Sequence, residues 1–125
     1  MDLRKLQKIV VAALEDIKAH DIEVINTAKL SSLFERIVIA SADSARQTKA
    51  LARNVHDKVK AAGGSVIGVE GEDSGDWVLV DLGSIVVHIM QPAARSYYNL
   101  EELWTAKPAA ARRKAAEAES AASAA

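Results

Sequence analysis

Residues 77 to 90 read Trp-Val-Leu-Val-Asp-Leu-Gly-Ser-Ile-Val-Val-His-Ile-Met, two apolar runs around Gly83-Ser84. Gly-Ser is a favoured two-residue hairpin turn, and a turn of that length leaves one register. Leu82 then opposes Ile85, Asp81 opposes Val86, Val80 opposes Val87, Leu79 opposes His88, Val78 opposes Ile89 and Trp77 opposes Met90. Side chains alternate faces along each strand. One face carries Val78, Val80, Leu82, Ile85, Val87 and Ile89, purely aliphatic and suited to a core. The other carries Trp77, Leu79, Asp81, Val86, His88 and Met90, an unusual mixture for a core. Trp77 opposite Met90 either packs under a helix or flanks a binding surface, and the pattern alone does not choose.

The rest of the chain supplies more strands and the helices to cover them. Leu3, Leu6, Ile9, Val10, Ala13, Leu14 and Ile17 recur at helical spacing, so residues 3 to 18 read as a helix capped by Asp2. Residues 22 to 25 read as a short strand and residues 36 to 40 as a buried one. Ser44 with Gln47 reads as a capping box opening a helix to about Ala62. Its inward positions are Ala45, Thr48, Leu51, Ala52, Val55 and Val59, and Gly63-Gly64 stops it. Residues 65 to 69 read as a third strand. Pro92 suits a first helical turn. Asn99 with Glu102 reads as a second capping box, opening a short helix through Trp104. The expected fold is α/β, with a mixed sheet of about five strands flanked by helices. Residues 1 to 105 form one domain. Residues 106 to 125 are Ala-rich around Arg112, Arg113 and Lys114, with no larger apolar side chain to bury, and read as a disordered tail or a marginal helix.

Composition excludes several classes. At 125 residues the chain fits one domain, and at 50% hydrophobic it has enough apolar residues to build a core. The net charge of -1 is not that of an obvious nucleic-acid binder. With no Cys there is no disulfide framework and no Cys-based metal site. No apolar run approaches the roughly 18 residues of a membrane span, and the N-terminus lacks a signal-peptide core, so the expected location is the cytoplasm. Arg46, Lys49, Arg53, Lys58 and Lys60 give the middle helix a basic outer face, which reads as a solvated face. Both tryptophans and both tyrosines fall between Gly68 and Trp104, and no Lys or Arg stands between Lys60 and Arg95. Aromatics beside unpaired acid suggest a contact surface for a basic partner.

Catalytic readings of this region are weak. Asp81 and His88 are diagonal neighbours in the hairpin register and read as a structural hydrogen bond that orients a half-buried His; a catalytic pair needs a nucleophile, and Ser84 in the turn has no reason to point back. Two-metal chemistry needs converging carboxylates. Asp76 and Asp81 are an odd number of residues apart and face opposite ways on an unbroken strand, while Glu70, Glu72 and Asp73 belong to a Gly-rich loop. No phosphate-binding loop and no HExxH occur. No metal and no cofactor are implied.

The motifs themselves resemble the ribosomal silencing factor, or iojap-like, family. The resemblance runs over about residues 3 to 104. It is carried by Gly68-Val69-Glu70-Gly71, by Asp76 to Gly83, by Val86 to Met90, and by Arg95 with Tyr98 to Trp104, with Ser44 and Arg46 fitting a further segment. Asn99 stands where the family commonly has Asp, and Ala42-Asp43 where it often has a Gly. The resemblance implies a nucleotidyltransferase-like fold with no transferase activity. It also implies binding to protein fourteen of the large ribosomal subunit, which blocks joining with the small subunit and silences translation when nutrients are short. Carried over by motif, Asp76, Trp77, Asp81, His88, Tyr98, Leu100, Glu101 and Trp104 are the candidate partner-binding residues, with little direct contact to nucleic acid. A divergent nucleotidyltransferase is the alternative, and self-association into a homodimer is compatible with either.

Overall fold

The computed structural model describes residues 1–104. The tail expected from residue 106 onward lies outside the described residues. The elements are α1 (Leu3–Asp16), β1 (His20–Asn26), β2 (Arg36–Ser41), α2 (Ala45–Ala61), β3 (Gly68–Glu70), β4 (Trp77–Asp81), β5 (Ile85–Met90), α3 (Pro92–Tyr98) and α4 (Leu100–Leu103).

The five strands form one mixed sheet in the order β1-β2-β5-β4-β3. β2 and β5 run parallel, and the other neighbours pair antiparallel. The hairpin has the register expected from its turn length: Trp77 opposes Met90, Leu79 opposes His88 and Asp81 opposes Val86. The Leu82 N–H donates to the Ile85 carbonyl at 2.9 Å and closes the turn. Gly83, at φ 87°, holds the first turn position, where a type II′ turn requires glycine.

Helix ends are set by local chemistry. The Asp2 carboxylate accepts from the Lys5 N–H at 2.8 Å and starts α1. α1 stops at Asp16, before the expected residue 18, because Lys18 turns left-handed (φ 63°) and the Ala19 N–H closes on the Leu14 carbonyl. α2 ends likewise: Gly63 is at φ 87°, and the Gly64 N–H donates to the Val59 carbonyl at 2.9 Å. This exit takes up the residues after α2, so β3 begins at Gly68 rather than at 65. The Ser44 hydroxyl caps α2 through the Gln47 N–H at 3.1 Å, while the Gln47 side-chain Oε1 accepts from the Asp43 backbone N–H rather than that of Ser44. The second expected capping box is absent. Asn99 is left-handed (φ 49°), its N–H closes α3 on the Arg95 carbonyl, and its side chain donates to the Glu102 carboxylate at 2.6 Å. One residue cannot both end a helix in that conformation and cap the next from the extended conformation that capping needs.

Both faces of the sheet are buried. On one, Val38, Ala40, Val78, Val80, Ile85, Val87 and Ile89 pack against Leu6, Val10, Leu14, Leu51, Val55 and Val59 of α1 and α2. On the other, Ile37, Ile39, Trp77, Leu79, Val86 and Met90 pack against Phe34, Leu100 and Trp104. The mixed hairpin face is therefore a second core. One crossing point ties the layers together. Gly75, at φ 73°, lies against Ala45 at the start of α2, and its carbonyl accepts from the Thr48 hydroxyl at 2.7 Å and the Gln91 amide at 3.1 Å. This crossing delivers Asp76 and Trp77 to the foot of α3.

Candidate functional site

The eight candidate residues separate by burial and by place. Trp77 is 3% exposed, His88 0%, Leu100 1% and Trp104 3%. These four are interior side chains, beneath the surface rather than on it. Parity assigned Trp77 and His88 to one face, but the short helices that cover that face carry no long periodic pattern to announce them. Asp76 is exposed, and Tyr98 and Glu101 are half-buried at the surface above this core. Asp81 stands apart at the far end of β4, four residues along the strand from Trp77, about 13 Å at strand rise.

Asp81 and His88 do not pair. The Asp81 carboxylate folds back over the turn and accepts from the Gly83 N–H at 2.9 Å. His88 is met from its other diagonal: the Trp77 indole Nε1–H donates to its Nδ1 at 3.0 Å. Accepting at Nδ1 requires the neutral ring to carry its proton on Nε2. Burial pushes the His88 pKa down to about 3, so the ring is a fixed hydrogen-bond acceptor and not a base titrating near neutrality.

From Trp77 an aromatic series leads outward. The Trp77 and Tyr98 rings lie 4.5 Å apart, and the Tyr98 and Tyr97 rings 5.0 Å apart, edge to face at 86°. Tyr97 is 82% exposed at the outer end.

Beside this series lies an open cleft of about 690 Å³ between β1 and α3, lined by residues including His20, Asp21, Glu23, Ser41, Arg95 and Glu101. Arg95 organises it. Its Nε donates to the Glu101 carboxylate at 2.8 Å and its NH1 to the Ser41 hydroxyl at 2.7 Å, with the Glu23 carboxylate 3.8 Å from NH2. At the rim the His20 ring lies 2.8 Å from the Asp43 carboxylate and 3.3 Å from that of Asp21. The Asp43 hydrogen bond, then that of Asp21, raises the His20 pKa above its ordinary value. The cleft escaped sequence reasoning because Arg95 and Asp21 are 74 residues apart and only the sheet order brings β1 beside α3. Tyr97 escaped it because nothing in the pattern separates two adjacent tyrosines. Among the described residues, no group of three or more His, Asp or Glu is placed to hold a metal ion, and no helix is long and apolar enough to cross a membrane.

Comparison with known proteins places this architecture. The family model described as "Ribosomal silencing factor during starvation" matches residues 1–125. A ribosomal silencing factor from Chromobacterium violaceum is 52% identical over 104 residues, covering 83% of this chain and 85% of that protein. One from Bacillus subtilis is 39% identical, covering 88% and 93%. A crystal structure of a Chromobacterium violaceum protein superposes with a TM-score of 0.83 at 50% identity, over 86% of this chain and 89% of the other. The names of these curated relatives are those of a regulatory factor and not of an enzyme. With a family model spanning the chain, relatives of this identity and a shared α/β fold, the chain belongs to the ribosomal silencing factor family.

Proposed function

We propose that this protein binds the large ribosomal subunit through its protein fourteen, in the cytoplasm, and blocks joining with the small subunit by occupying the shared face. The mechanism is steric, with no bond made or broken. A mouse relative, 34% identical over 78% of this chain and 44% of its own length, is named for mitochondrial assembly of the ribosomal large subunit. That name supports a large-subunit partner.

The observation that carries the reading is the surface around α3, with exposed Asp76 beside Gln91 at its foot, Tyr98 on the helix and Glu101 in the lining of the acid-lined cleft. Acidic groups beside aromatic rings complement a basic ribosomal protein, and charge complementarity governs approach and orientation more than final affinity. Trp77, His88, Leu100 and Trp104 serve this surface from beneath, as its packed support. Asp81 serves by holding the hairpin turn.

A pull-down of isolated protein fourteen with the wild type, Tyr98→Ala and Glu101→Ala tests the assignment. The wild type captures it and both folded variants capture less. Equal capture by all three removes this surface from the interaction.

A further inference from the structure

Tyr97 is a large ring left out in solvent, yet its surroundings are ordered toward the interior. It rests edge to face on Tyr98, Tyr98 rests on Trp77, and the Trp77 N–H is fastened to a fully buried imidazole. A free surface tyrosine loses rotamer freedom when a partner captures it. A ring already held by an aromatic series rooted in the core loses less, so its contact yields more net affinity. Aromatic rings with this support are the residues that dominate interface energies.

The neighbourhood indicates the partner chemistry. Ser96 and Asn99, on either side of Tyr97 in sequence, line the cleft that also holds Asp21, Glu23 and Glu101. A Lys or Arg side chain entering there meets the carboxylates of Asp21, Glu23 and Glu101, while Tyr97 stands on α3 outside the cleft, placed for a second contact with the same basic surface. The Arg95 charge inside the cleft is engaged by Glu101 at 2.8 Å and lies near Glu23, so it offers a cationic visitor less repulsion than an unpaired charge would.

We infer that Tyr97 is the anchor by which this protein grips a basic protein surface, and that His88 is the positioning residue that holds the anchor through Trp77 and Tyr98. This rests on the proposed docking to the large subunit and adds to it the residue that grips and the buried residue that aims it. His88 touches no partner. Its role is to accept the indole hydrogen bond that fixes Trp77 in the orientation against which the tilted Tyr98 ring packs.

The test compares wild type, Tyr97→Ala, Tyr97→Phe, His88→Leu and His88→Asn for binding to purified large subunits, with each free protein followed by NMR at its two indole N–H groups. Tyr97→Ala is expected to weaken binding roughly 10- to 30-fold, the loss typical of an aromatic hot spot. Tyr97→Phe keeps the ring and binds within about three-fold of wild type. His88→Leu removes the acceptor, so the Trp77 N–H signal shifts and exchanges faster with water while that of Trp104 stays, and binding weakens. His88→Asn places an oxygen near the Nδ1 position and restores both. Undiminished binding by Tyr97→Ala overturns the anchor. So does a Tyr97→Ala effect confined to self-association of this chain. A folded His88→Leu with wild-type binding overturns the positioning role. If His88→Leu does not fold, His88→Asn decides: retained binding with a protected Trp77 N–H supports the role, and lost binding with that signal intact overturns it. A wild type that fails to bind large subunits at all refutes the docking reading itself, an outcome separate from these.

Discussion

Replacing Gly75 by Ala tests the crossing that joins α2, β4 and α3. Gly75 has φ 73°, where an L side chain costs about 1–2 kcal/mol. A Cβ there would sit 2.7 Å from the Ala45 Cβ, 2.9 Å from its Cα and 3.0 Å from its carbonyl oxygen. Two of those three atoms are helix backbone and cannot swing aside, so overpacking adds about 1–3 kcal/mol. Alanine also stiffens the unfolded chain, which returns about 0.4–1 kcal/mol. The net cost is about 1–4.5 kcal/mol, or roughly 5–20 °C in Tm for a domain of this size. Gly63→Ala is the matched control. Gly63 has φ 87°, but a Cβ there meets nothing within 4 Å, so only the conformational part remains, about 1 kcal/mol. Urea unfolding of both variants and wild type, with equal m-values, isolates the steric part by difference. Equal destabilisation of the two variants would refute the close approach of the loop to α2.

Two histidines give stability opposite pH dependences. Asp43 and Asp21 raise the His20 pKa, so its stabilisation is fully present below about pH 6.5 and is lost as pH rises through the folded value. Burial lowers the His88 pKa to about 3, so its contribution is present above about pH 6.5 and fades as pH falls, by up to about 1.4 kcal/mol per pH unit. Urea unfolding from pH 4 to 8 should therefore show acid destabilisation that His88→Asn reduces, and an alkaline decline that His20→Ala reduces. No change in either slope contradicts the assigned environments. Arg95→Lys cannot reproduce the fork that meets both Glu101 and Ser41, so it should loosen α4 against β2, seen as faster amide exchange at residues 100–103 with the sheet unaffected. Deleting residues 106–125 should leave large-subunit binding within about three-fold of full length. A large loss at physiological salt would assign that segment, with its charge of +2 from four basic and two acidic residues, to ribosomal RNA.

The hairpin was legible down to its register because a two-residue Gly-Ser turn leaves one pairing and a side-chain period of two leaves no other faces. α1 and α2 were legible for the same kind of reason: long apolar stripes with caps at the start. What covered the mixed hairpin face was not. α3 and α4 are too short to carry a period, so Trp77 stood equally as anchor or as core until Leu100 and Trp104 closed over its side of the sheet. The Asp81–His88 diagonal had the right geometry, but a local N–H at Gly83 competed for the carboxylate, and the other diagonal, Trp77, was the better donor for a buried ring. The cleft depended on long-range topology that no local pattern records.

Sucrose-gradient sedimentation of purified ribosomal subunits with saturating protein addresses the central claim. The account predicts that large and small subunits sediment apart, with this protein comigrating with the large subunit, and that Tyr98→Ala and Glu101→Ala restore joining while remaining folded. Normal subunit joining at saturating wild-type protein would contradict it.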